Sequence, residues 1–155
     1  MAREPSPGHP REVDPLARRL LQHSPVVAVL GAHHEPHRAA YYVPAYLAEH
    51  GYEVWPVNPT LAGRQLFGRT VVATLAQVPV AVDLVDVFRR AEHLPDHHPE
   101  ILAMSPRPGG VWLQLGVVHP GVEATLRAEG LHVVSDRCML ADHRMWGLGA
   151  PSRAD

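Results

Sequence analysis

The chain has 155 residues, enough for one domain with a complete hydrophobic core and no need of disulfide or metal staples. Its formal charge is −2 and its basic residues are spread along the chain, which argues against duplex nucleic acid or an anionic membrane as the main partner. All 14 basic residues are Arg, so Schiff-base chemistry and a phosphate-binding lysine are excluded and guanidinium forks are left as the anion binders.

The opening residues 1–12, MAREPSPGHPRE, are rich in Pro and charge and read as a mobile tail. Order is expected from about residue 13, where Asp14 caps a short helix with Pro15 at its first position and Leu16, Leu20 and Leu21 as its apolar stripe. Val26 to Leu30 is an unbroken apolar, β-branched run stopped by Gly31, the pattern of a central strand buried on both faces. His37 to His50 carries apolar residues at helical spacing and ends at Gly51, with Pro44 an awkward interior residue that threatens a kink.

Tyr52 to Val57 returns as a second strand ending in Asn58-Pro59, and Val71-Val72 suggests a short piece after Gly68. Ala81 to Val87 reads as a further strand, followed by a helix between Arg90 and Met104 that Pro95 and Pro99 interrupt. Val111 to Leu115 is the next strand, Gly121 to Glu129 the next helix with Gly130 just beyond it, and Leu131 to Val134 the last strand. The domain is expected to close near residue 146, with 147–155 a second tail.

Strands alternating with helices imply an α/β, Rossmann-like, three-layer domain with a mostly parallel sheet and helices on both faces. Ligands of such sheets sit beyond the carboxyl ends of the strands, so the residues after each strand are the candidates. Gly31-Ala32-His33 leads into a helix near Arg38, a turn suited to an anion, but only the first glycine of a dinucleotide fingerprint is present. The second strand ends in Asn58 where a dinucleotide binder would carry an acid for the ribose, a second departure that argues against NAD.

Asn58-Pro59 reads either as a ligand contact, with Arg64 and Arg69 nearby for a phosphate, or as a plain turn with solvated arginines. Val87-Phe88-Arg89-Arg90 puts an aromatic and two guanidinium groups at the same sheet edge, and Gln114-Leu115-Gly116 adds a polar side chain and a glycine.

In this order and spacing, VVAVLGA, LAEHGYEVWPVNP, AVDLVDVFRR, VWLQLGVV and VVSDRCM make the chain from about Val26 to Arg144 resemble the small stand-alone CoA-binding proteins. These are related to the CoA-binding domain of the succinyl-CoA synthetase α subunit. The resemblance implies a CoA or acyl-CoA ligand, with Gly31, Ala32, His33 and Arg38 near its phosphates and Asn58 and Pro59 flanking the nucleotide. It implies further that Val87, Phe88 and Arg89 border adenine or pantetheine, and that Gln114 and Gly116 lie toward the thiol. Where the family commonly has Ser, this chain has His33, whose imidazole would have to replace a hydroxyl donor. Nothing in the chain's length leaves room for the synthetase's separate ligase domain.

Twelve histidines raise a metal reading, with His33, His34 and His37 clustered and His93 and His97 four apart. No H-E-x-x-H or C-x-x-C supports it, and loop histidines without metal are the expectation. Cys138 is either a thiol-reactive residue made more acidic by a neighbouring Arg or a small buried apolar one. No serine has a base and oxyanion partner in view, Asp86 reads as structural, and Trp55 and Trp112 read as core.

The chain is therefore expected to be a cytoplasmic, non-catalytic module that stores, senses or presents CoA, with no nucleic acid or membrane partner. The alternatives are an enzyme on the same fold, either an acyl-CoA-handling transferase or an NAD(P)-dependent oxidoreductase, and a regulator that binds another protein.

Overall fold

In a computed structural model the described residues, 14–153, form a five-stranded parallel sheet covered by helices on both faces. The expected tail at residues 1–12 lies outside them. Helix α1 (Pro15–His23) starts as the sequence indicates: the Asp14 carboxylate accepts the N–H groups of Leu16 and Ala17, two of the donors that a first turn leaves unpaired. Strand β1 (Val26–Leu30) is buried along its whole length, as its unbroken apolar run requires.

Helix α2 (Ala39–Glu49) keeps Pro44 in its interior. Proline has no N–H for the carbonyl one turn earlier, and that carbonyl, on Ala40, accepts instead from the His33 amide at 3.1 Å. The residue that looked like a defect thus ties the loop after β1 to the helix.

Strand β2 (Glu53–Val57) pairs with β1 and is followed by a 3₁₀ turn at Pro59–Leu61 and a small hairpin of β3 (Gln65–Leu66) and β4 (Arg69–Thr70). The Val71-Val72 piece amounts to a single bridge from Val72 to Val57. Strand β5 (Leu84–Val87) begins later than the alternation suggests. Asp83 lies outside it, its carboxylate accepting the Val26 N–H and facing Arg153. A 3₁₀ turn (Ala91–His93) precedes α3 (Leu94–Leu102), so Pro95 falls in the first turn, where no N–H is missed. Strand β6 (Gly110–Leu113), helix α4 (Pro120–Ala128), strand β7 (His132–Val134) and helix α5 (Met139–Met145) complete the domain.

The strand order is β2-β1-β5-β6-β7, so the chain moves outward from β1 in one direction and then crosses to its other side. Leu84 and Trp112 pack with residues of α1, α2 and α5 on one face, while Val85, Val87, Val111 and Leu113 pack with those of α3 and α4 on the other. Trp112 is fully buried and gives its indole N–H to the Arg137 carbonyl. Trp55, expected in the core, is only half-buried on the edge strand, with the Arg69 guanidinium 5.2 Å from its ring centroid.

The closing segment is not the loose tail expected from residue 147. The Gly149 carbonyl accepts from His143 Nε2 at 3.0 Å, the Ser152 amide donates to the Gln22 carbonyl at 2.9 Å, and Arg153 pairs with Asp83. Gly51 is required here, since an added Cβ would stand 2.7 Å from that of Ala150. Helix α5 was missed because seven residues with a mixed pattern carry too little periodicity to read.

Candidate functional site

The switch in strand order places the carboxyl ends of β1 and β5 side by side, and a cavity of about 520 Å³ opens there. Gly31, at φ 93°, makes the turn that bounds it, and its N–H is held by the Val57 carbonyl at 2.9 Å. A Cβ on this residue would lie 2.5 Å from the Phe88 carbonyl oxygen and 3.2 Å from Arg89 Nε. Strand ends β1 and β5 meet so closely that only glycine fits.

His33 lines the cavity, and its Nδ1 accepts the Glu35 N–H at 3.0 Å, which puts the hydrogen of the neutral ring on Nε2. Burial, helped by the charge of Arg38, holds the imidazole below its ordinary value, so the neutral donor form is favoured. Arg38 also lines the cavity, at the N-cap of α2, with a 3.4 Å contact to Glu35 on its exposed side. Ala39, Ala40 and Tyr42 of the first turn complete this wall. The sequence reading missed them because no charge or glycine marks them.

Phe88, Arg89 and Arg90 line the cavity from the end of β5, and Arg89 Nε is buried without a protein partner. Such a donor costs free energy unless something accepts from it. Gln114, Leu115, Gly116 and Val117 line it from the end of β6, and Cys138 from the N-cap of α5.

Three of the sequence candidates lie elsewhere. Val87 is fully buried on the α3–α4 side because the strand pleat turns it away from the edge, Ala32, beyond the Gly31 turn, is fully buried in the opposite core layer, and Pro59 is exposed on the 3₁₀ turn outside the cavity. Neither Arg64 nor Arg69 lines the cavity. Asn58 does line it, but its amide is already engaged: Nδ2 donates to the Ala32 carbonyl at 2.8 Å and Oδ1 accepts the Thr60 N–H at 2.9 Å. Asn58 braces the β1 turn against the β2 turn. The Gly116 amide is likewise engaged, by Asp136 Oδ1 at 2.8 Å.

Cys138 departs from the thiolate reading. Its neighbour Arg137 is buried and turned into Asp142, with contacts of 2.6 and 3.0 Å, so that guanidinium is spent on a carboxylate. Burial pushes the Cys138 thiol up, with backbone N–H groups of α5 only partly opposing it. Below Gln114 lies Asp86, fully buried on the α1–α2–α5 face of β5, its Oδ1 accepting from Gln114 Nε2 at 2.8 Å and its Oδ2 without a partner. Desolvation raises this carboxyl to about 8, against the one hydrogen bond that favours the charged form.

Among the described residues no group of three or more metal-ligating side chains is placed to hold an ion. His33 and His34 stack at 4.8 Å, and His93 precedes α3, so the i, i+4 pair with His97 does not form on one regular helix. No described helix is long and apolar enough to cross a membrane.

The fold and the position of the cavity define a Rossmann-like α/β domain with its candidate site at the switch point of a parallel sheet. Residues 25–144 match the family model described as CoA binding domain, and the chain belongs to that family. It is 32% identical over 126 residues to uncharacterized protein YneT of Bacillus subtilis, covering 81% of this chain and 90% of that one. Among solved structures it is similar to cell-free ID.343 from Thermus thermophilus, 48% identical with a TM-score of 0.79, covering 83% of this chain and 94% of the other. It is also similar to a hypothetical protein of Pyrococcus horikoshii OT3, 27% identical with a TM-score of 0.71, covering 83% and 88%.

Proposed function

We propose that the protein is a non-catalytic CoA-binding module, holding CoA across the strand ends with its phosphates at β1 and β5 and its thiol at β6 and α5. The observation that carries this reading is the polarity of the cavity along the strand order. The side nearest β1 and β5 is lined by His33, Arg38, Arg89 and Arg90 with no carboxylate, and the side nearest β6 and α5 by Gln114, Leu115, Val117 and Cys138 with no charge. A long ligand with an anionic head and a neutral thiol tail matches that gradient. The Arg89 guanidinium, lining the cavity, supplies charge-assisted donors at the anionic end, and His33 Nε2 a neutral one.

The same residues weigh against a dinucleotide. Asn58, where a ribose-binding acid would stand, spends its amide on the Ala32 and Thr60 backbone, and the glycines that admit a pyrophosphate beyond Gly31 are replaced by His33 and Pro36. Calorimetric titration with CoA, NAD and NADP tests the reading. Saturable CoA binding below about 100 μM with no heat from the dinucleotides is expected; saturable NAD binding without CoA binding would refute it. Arg89→Ala should weaken CoA by about 1.5–3 kcal/mol through loss of a charged hydrogen bond.

A further inference from the structure

Asp86 and Gln114 form a polar pair in the floor of the uncharged end of the cavity. Asp86 is fully buried and Gln114 is 4% exposed while still lining the cavity. The amide nitrogen of Gln114 gives one of its two hydrogens to Asp86 at 2.8 Å, and the Oε1 end of the amide can only accept. In the sheet Asp86 is flanked by Val29 on β1 and Trp112 on β6. The hydrogen bond to Asp86 holds the nitrogen end of the Gln114 amide in the floor and leaves the oxygen end for the ligand.

A cavity end with an acceptor and no charge distinguishes ligands by whether they bring a donor. Resting on the CoA reading above, we propose that the Asp86–Gln114 pair selects CoA bearing a free thiol over its thioesters. The thiol gives an S–H to Gln114 Oε1. A thioester has no such hydrogen and brings a second carbonyl oxygen, which leaves a buried acceptor facing another acceptor. Asp86 is here a positioning residue, acting through Gln114 and not on the ligand. The site is then a reader of the unacylated pool, filled when CoA is free and vacated when CoA is charged.

The test compares CoA and acetyl-CoA by calorimetry on the full chain. The expected preference for CoA is about tenfold, the ratio that one hydrogen bond in a buried site supports. Gln114→Leu should bring the two ligands to within about threefold of each other by removing the acceptor. Gln114→Met, which keeps the side-chain length, repeats the measurement if the Leu variant does not fold. A wild-type protein that binds both ligands within about threefold, or that prefers acetyl-CoA, overturns the selectivity and leaves the CoA reading standing. A preference that survives in the Gln114 variants also overturns it, because acyl bulk and not the amide would then be the cause. Absence of binding by both ligands overturns the CoA reading and the selectivity together.

Discussion

Replacing Asp86 by Asn removes an ionisable group from the deepest part of the sheet, and the size of the effect follows from its surroundings. The carboxyl is fully buried with one hydrogen bond, and its folded value is about 8 against 3.8 for the free side chain. Because the folded value lies above the unfolded one, the native protein retains a proton that the unfolded chain releases. The contribution is therefore fully present below about pH 4, is lost steadily as pH rises, and levels off above about pH 8. Each pH unit in that window removes about 1.4 kcal/mol, so wild type loses about 4 kcal/mol between pH 4 and pH 7 that the Asn variant does not lose. Asn keeps the shape and the carbonyl that accepts from Gln114, and its amide hydrogens replace an acid hydrogen that is itself unpartnered. Urea denaturation of both proteins from pH 4.5 to 9 checks this: the two stability curves should diverge by about 1.4 kcal/mol per pH unit up to about pH 8 and then run parallel. Curves parallel over the whole range would refute the reasoning, since they would mean that Asp86 is charged at neutral pH and compensated.

Gly31→Ala should cost at least about 2 kcal/mol and abolish ligand binding, because its Cβ would meet the Phe88 carbonyl in a left-handed backbone; unchanged thermal melting would contradict the geometry. Cys138 is expected to react with CoA disulfide, its thiolate attacking one sulfur to form the Cys138–CoA disulfide and releasing the other half as CoA thiolate. Since burial keeps the thiol protonated at neutral pH, adduct formation followed by intact mass should accelerate about tenfold from pH 7 to pH 8, and a pH-independent rate would show that the thiolate is already present. His143→Phe removes the hydrogen bonds to Tyr46 and Gly149 and should cost about 1–3 kcal/mol while exposing residues 147–153 to proteolysis; resistance equal to wild type would mean that the segment is held without it.

Much of this architecture is legible in the chain itself. Val26 to Leu30 reads as a strand buried on both faces, Asp14-Pro15 reads as a helix start, and alternating strand and helix signals leave a parallel sheet whose ligands meet the residues after each strand. Those inferences rest on local sterics and periodicity, which act over a few residues and so survive in the sequence. Resemblance of motifs such as VNP and DVFRR supplied the family, which composition and spacing could not. What the sequence could not decide was which side chains at the edge are free. Asn58 and Gly116 look available and are engaged by Thr60, Ala32 and Asp136. Val87 and Ala32 look adjacent and are turned into opposite core layers. Pro44 looks disruptive and frees the carbonyl that holds His33. Arg137 looks like an activator of Cys138 and is spent on Asp142. Each of these outcomes depends on a partner brought near by the fold. Hydrogen-bond saturation and charge pairing are settled by three-dimensional neighbours, and only the tertiary structure shows that Asp86 lies beneath Gln114 and orients it.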